Sequence, residues 1–207
     1  MIKKVVIAAA GRGTRMLHLT KNKSKHLINV LGAPFITYLL DNLLKAGYKE
    51  LILVVGYRKE KIEEFLKKYK YNVKVIDQFE VLGKQEYGTA CALKCVKDVV
   101  GNENFLTVYG DNLYSIEDLK SLNLEDRYNY VAGFFHKKPE KYGALKLKEG
   151  FLEEIIEKPK KHITNLINTG LYKFTPSIFD KIDKIKLSQR GEYELQTLST
   201  FLLVRKK

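Results

Sequence analysis

Four short apolar runs, separated by amphipathic stretches, restrict the fold of this chain more than any other feature. They are KKVVIAA at residues 3–9, ELILVVGY at 50–57, NVKVID at 72–77 and NFLTVYGDN at 104–112. A short apolar run with little polar alternation suits a strand covered on both faces, which is the condition of parallel strands. Pro34 opens FITYLLDNLLKAGY, where Ile36, Leu39, Leu40, Leu43 and Leu44 recur at helical spacing and Gly47 supplies a stop. KEKIEEFLKKYK (59–70) reads as a second amphipathic helix, and TACALKCVKDVV (89–100) as a third. This β-α-β-α-β-α-β order predicts an α/β fold with a doubly wound, mainly parallel, Rossmann-like sheet. After it, YNYVAGFFHK, YGALKLKEGFLEEIIEK and LINTGLYKFT read as strands and a hairpin, followed by a helix PSIFDKI. The expectation is a mixed sheet of about seven strands, with a smaller lobe in the second half. No Ser/Gly/Pro-rich linker, repeat or low-complexity segment separates the halves. Residues 1–207 are therefore read as one domain, divided functionally at about residue 125.

The charge balance narrows the choice of ligand. Thirty-seven Lys+Arg face 24 Asp+Glu, a formal net charge of +13. Nucleic acid would be one explanation, but the lysines are scattered and interleaved with acids, and no zinc-finger, RRM or helix-turn-helix signature accompanies them. A need to hold polyphosphate fits better, so no nucleic-acid partner is expected. No run approaches the roughly 20 apolar residues of a membrane helix, so no membrane partner is expected either. The start, Met1-Ile2-Lys3-Lys4 and then VVIAAAG, has an apolar part too short for a signal peptide, and a glycine-arginine loop ends it. Cys91 and Cys95, four apart in a helical stretch, read as reduced small residues. A cytoplasmic protein is expected.

The first strand breaks into Gly11-Arg12-Gly13-Thr14-Arg15. Glycines let backbone N–H groups approach phosphate oxygens, and guanidinium groups bind those oxygens bidentately. The loop is not a Walker motif, since Thr14-Arg15 stands where Lys-Ser/Thr is needed, and it lacks the third glycine of a dinucleotide fingerprint. In an open parallel sheet, ligands bind beyond the carboxyl ends of the strands. Gly88-Thr89 and Asp111 fall there too. Asp111 is placed to hold a Mg2+ bridging phosphates, although an Asp-Asn turn capping the next helix would use the same residue.

These residues resemble the sugar-1-phosphate nucleotidyltransferases, also called nucleotide-sugar pyrophosphorylases, over essentially the whole chain. The family's AAGxGTR(L/M) opening is matched by Ala9 through Met16, and its lysine in a PKPL context by Lys25 in SKHL. In family order there follow Gly32-Ala33-Pro34, Gly88–Ala90, Gly110-Asp111, Tyr142-Gly143, Glu157–Pro159, Asn168–Gly170 and Gly191–Leu195. The resemblance implies condensation of a nucleoside triphosphate with a sugar 1-phosphate, giving an NDP-sugar and pyrophosphate in a Mg2+-dependent reaction. It implies that Arg15, with the amides of Gly11 and Gly13 and beside Thr14, cradles the β,γ-phosphates, and that Lys25 contacts the α-phosphate region. Asp111 is the implied metal ligand. Ala9, Ala10, Gly88 and Thr89 line the base pocket, with Gln78, or alternatively Gln85, reading the base edge. Lys158 binds the sugar's phosphate, while Gly143, Glu157 and Asn168 contact its hydroxyls. Homo-oligomer formation is compatible with this reading.

Three departures from the family pattern stand out. His18, Ser24 and His26 replace prolines around the first lysine. Thr197 stands where the family carries a second metal-binding aspartate, with Glu192 and Glu194 nearby. The chain also ends at Lys207, before the family's usual last strand. Two other functions therefore stay in view: transfer of CMP to a phosphorylated alcohol, and a non-catalytic homologue that binds a nucleotide or nucleotide sugar.

Overall fold

The computed structural model describes residues 1–11, 24–188 and 191–206. The strands are β1 (Lys4–Ala8), β2 (Asn29–Val30), β3 (Ala33–Pro34), β4 (Glu50–Val55), β5 (Val73–Asp77) and β6 (Phe105–Tyr109) in the first half. The second half contributes β7 (Tyr130–Phe135), β8 (Gly143–Lys148), β9 (Phe151–Glu157), β10 (Leu166–Phe174) and β11 (Leu203–Lys206). The helices are α1 (Phe35–Lys45), α2 (Lys59–Tyr69), α3 (Gln78–Leu82), α4 (Cys91–Lys94), α5 (Lys97–Val100), α6 (Ile116–Ser121) and α7 (Phe179–Ile182).

Nine strands form one sheet, seven of them along the path β11-β7-β10-β6-β1-β4-β5, with β8 joining β10 and β9 beside it. β6, β1, β4 and β5 are mutually parallel. β10 runs antiparallel to β6 and to β7. The carboxyl ends of the parallel strands thus share one edge, and the first half of β10 runs back along that same edge. This arrangement sets the site.

Alternate residues explain why both faces are covered. Val5 and Ile7 of β1 and Leu51, Leu53 and Val55 of β4 pack on the side of α1 and α2. Val6, Ile52 and Val54 face the other way, onto Leu93, Val96, Val100, Ile178 and Phe179. Each fully buried side chain of this kind contributes roughly 1.5–3 kcal/mol, so neither layer is dispensable. α1 buries Ile36, Leu39, Leu40 and Leu43, whereas Leu44 sits off the stripe and is 46% exposed.

Several elements differ from the sequence reading. The expected helix over 89–100 is two short pieces, α4 and α5, because Val96 leaves the helical region at φ −116°, ψ 1°. α3 follows β5 without a loop, since the Asp77 carboxylate accepts a hydrogen bond from Phe79 N at 2.8 Å and caps it. β11 pairs in parallel with β7 and was not anticipated. Among the described residues no helix is long and apolar enough to cross a membrane.

Candidate active site

The edge begins where β1 ends. Ala9 N donates to Val54 O at 2.8 Å, and Gly110 N donates to Ala8 O at 2.9 Å, so the Ala8-Ala9 segment is held from both sides. A Cβ at Gly110 would lie 3.1 Å from Ala9 Cβ and 3.2 Å from the His26 ring. That close approach brings Asp111 beside the turn at Lys25–Leu27.

There Lys25 Nζ donates to Asp111 Oδ2 at 2.5 Å. Burial pushes the Asp111 carboxyl up, but the Lys25 charge and hydrogen bond outweigh it, and the pKa falls below its ordinary value. The ammonium also borders Gly11, where an added Cβ would sit 3.4 Å from Nζ. The pair thus offers a half-exposed carboxylate and a cation over bare backbone. An ionised carboxylate oxygen is a suitable Mg2+ donor, and Mg2+ keeps water and phosphate oxygens in its shell when protein ligands are few. Asp111 therefore fits as a single carboxylate ligand. Among the described residues there is no group of three or more acidic, His or Cys side chains able to hold a metal. The Thr197 hydroxyl donates to Glu194 O at 2.7 Å.

His26, in place of a proline, is a buried wedge behind this pair. Its Nδ1 lies 2.8 Å from Ser24 Oγ. Burial, reinforced by the Lys25 charge and opposed by Asp111, pushes its pKa down to about 3. The ring stays neutral while the unfolded chain takes up a proton near pH 6.5. Stability is then complete above that pH and declines as pH falls toward the folded value. In the metal-free protein, His26 alone should remove about 2 kcal/mol between pH 7 and pH 5, at about 1.4 kcal/mol per pH unit below 6.5. Urea unfolding in chelator checks this: His26→Gln should flatten the pH dependence, and identical slopes for the two proteins would refute it.

At the carboxyl end of β5, Gln78 is buried, and its Nε2 donates to Glu86 O at 3.1 Å, bracing the following loop. Gln85 is exposed. Gly88 has φ +134°, and a Cβ there would fall 2.2 Å from Tyr193 O. Tyr193 N donates to Tyr87 O at 2.8 Å, and Ala90 N donates to Tyr193 O at 2.9 Å. Thr89 Oγ1 accepts from Leu195 N at 2.9 Å. Gly88 and Thr89 thus clasp the 191–195 segment, a task the sequence reading had not assigned to them.

A second cluster lies further along the edge. Gly143 faces Glu157 across β8 and β9, and a Cβ on it would be 3.3 Å from Glu157 Oε2 and 3.6 Å from Asn168 Cβ. Asn168 donates from Nδ2 to Tyr172 Oη at 2.6 Å and accepts from Gly170 N at 2.9 Å. These bonds hold the irregularity in β10 between Asn168 and Tyr172. Lys158 follows at φ +45°, a left-handed conformation unusual before proline, with its N–H donating to Tyr142 O at 2.9 Å. The two clusters are tied together: Asn112 Nδ2 donates to Thr169 O at 2.8 Å, and Tyr114 Oη donates to Thr169 O and Gly170 O. Asn112 and Tyr114 carry no motif, so the sequence did not single them out. Gly13, Thr14 and Arg15 lie outside the described residues.

Comparison with known proteins follows the same outline. Residues 4–207 match the family described as nucleotidyl transferase. A UTP–glucose-1-phosphate uridylyltransferase, AglF, of Haloferax volcanii is 33% identical over 97% of this chain and 83% of its own length. The bifunctional protein GlmU of Methanocaldococcus jannaschii is 34% identical over 98% of this chain, which spans 47% of that protein. Among solved structures, a UDP-glucose pyrophosphorylase complexed with UDP-glucose superposes with a TM-score of 0.80 at 26% identity, covering 97% of this chain and 86% of that one. The inositol-1-phosphate CTP transferase of T. maritima shares the fold, with a TM-score of 0.82 at 21% identity and coverage of 99% and 85%.

Proposed function

The chain belongs to the nucleotidyl transferase family, in its sugar-1-phosphate branch, and on that premise we propose how its residues perform the transfer. A phosphate oxygen of the sugar 1-phosphate attacks the α-phosphorus of a nucleoside triphosphate in line. The bond from the α-phosphorus to the bridging oxygen breaks, and pyrophosphate leaves. No covalent enzyme intermediate is needed, so the protein's work is positioning and charge neutralisation. Lys25 stabilises charge on the transferring phosphate as a compact cation, and Arg15, with the Gly11 and Gly13 amides beside Thr14, holds the β,γ-phosphates. Asp111 would hold Mg2+, which when bound offsets phosphate charge. Ala9, Ala10, Gly88 and Thr89 line the base, with Gln78 at its edge. Lys158 binds the sugar's phosphate, and Gly143, Glu157 and Asn168 meet its hydroxyls.

The observation that carries this reading is the tie between the two clusters. The loop after β6, which carries Asp111, is hydrogen-bonded through Asn112 to Thr169, so a cation–carboxylate pair and a second polar cluster share one sheet edge. Residues 1–125 act as the nucleotide half and 126–207 as the sugar-phosphate half of one unit, working in the cytoplasm. The relatives' names support UTP and glucose 1-phosphate as the first pair. A pyrophosphate-release matrix of five nucleoside triphosphates against hexose 1-phosphates, with Mg2+, tests the proposal. One productive pair is expected. Nucleotide binding without release from any pair would make the chain a binding homologue instead.

A further inference from the structure

We propose that Tyr87 is a further substrate-contacting residue, whose hydroxyl joins the Lys25 ammonium over Gly11 and donates to a phosphate oxygen of the triphosphate. The inference rests on the reading of this edge as a triphosphate site. The position a Gly11 Cβ would take lies 3.4 Å from Lys25 Nζ and 3.9 Å from Tyr87 Oη. The missing side chain therefore leaves a notch over backbone, bordered by two hydrogen-bond donors from different parts of the chain. A phosphate oxygen only accepts hydrogen bonds, so a phenol O–H beside a fixed ammonium suits it, and bonds to a charged acceptor are the strong ones.

The backbone around Tyr87 is built to keep the ring there. Its carbonyl accepts from Tyr193 N, Ala90 N donates to Tyr193 O, and Thr89 Oγ1 accepts from Leu195 N. Gly88 leaves room for the Tyr193 backbone to come this close. Lys94, paired with Glu86 at 2.8 Å, lies 3.8 Å from the Tyr193 ring centroid and covers the same clasp. The 191–195 segment thus acts on the nucleotide side of the edge by aiming Tyr87.

Calorimetric titration of the full chain with inorganic tripolyphosphate, and separately with UTP, tests the contact without assuming a base. Tyr87→Phe should weaken both by about tenfold or more, with glucose 1-phosphate affinity unchanged. Tyr87→Leu should lose no more triphosphate affinity than Tyr87→Phe, since the hydroxyl is the contact. Unaltered affinity in Tyr87→Phe, or loss confined to Tyr87→Leu, would assign the ring to packing and overturn the proposal. If the wild type binds neither probe, the triphosphate reading of the edge falls, and this inference with it.

Discussion

Asp111→Asn should lower kcat with the productive substrate pair by about a hundredfold to a thousandfold, the range seen when a preorganised electrostatic contact to a transition state is removed. The substitution keeps the side-chain shape and removes the charge. Two consequences oppose each other in the free protein. Lys25 loses its ion-pair partner, so it is freer to meet phosphate, and triphosphate binding in the absence of metal should tighten or hold. Turnover should nevertheless collapse, because a neutral amide is a far weaker Mg2+ donor than a carboxylate. Titrating Mg2+ in steady-state assays separates these effects: the variant should need much more metal and fail to reach the wild-type kcat. Normal turnover at the wild-type metal concentration would mean that Asp111 serves only to hold Lys25.

Gly88→Ala is expected to have the largest effect on stability. The added methyl would lie 2.2 Å from Tyr193 O and 2.5 Å from Tyr193 N, and the backbone stands at φ +134°. Because the obstacle is backbone, no rotamer change relieves it. A conformational cost of roughly 1–3 kcal/mol for a residue with a side chain in this sparsely populated region adds to an overpacking cost of roughly 1–3 kcal/mol. Gly150→Ala supplies the comparison, since Gly150 also has positive φ (+86°) but nothing within 4 Å of the added methyl. Urea unfolding should show the Gly150 variant losing only the conformational part. Equal losses in the two variants would mean that the 191–195 clasp contributes nothing to the fold.

These cases mark what local pattern conveyed and what it did not. The continuous apolar runs at β1 and β4 announced buried strands because parallel strands are covered on both faces. The helical stripe of α1 was likewise visible, save Leu44 at its margin. Gly110-Asp111 at the end of β6 could be placed at the binding edge from strand order alone. What could not be read were bonds between distant residues. Thr89 meets Leu195 across 106 positions, and Asn112 meets Thr169 across 57. No periodicity encodes such contacts. The segment Leu203–Lys206 gave too short a signal to announce β11, whose register depends on β7. His26 stood out in the sequence only as the replacement of a proline, and its role as a neutral wedge depends on burial against Gly110, Ser24 and Lys25, which only the folded chain assembles.

The most direct test of the central claim follows the α-phosphorus itself. The chain is incubated with UTP labelled at the α-phosphate, unlabelled glucose 1-phosphate and Mg2+, and the products are separated. The account predicts that the label appears in UDP-glucose, with one unlabelled pyrophosphate released per sugar nucleotide formed. If the other triphosphate and hexose 1-phosphate pairs behave the same way as a negative UTP reaction, with label remaining in the triphosphate or appearing as free nucleoside monophosphate, nucleotidyl transfer to a sugar phosphate is contradicted.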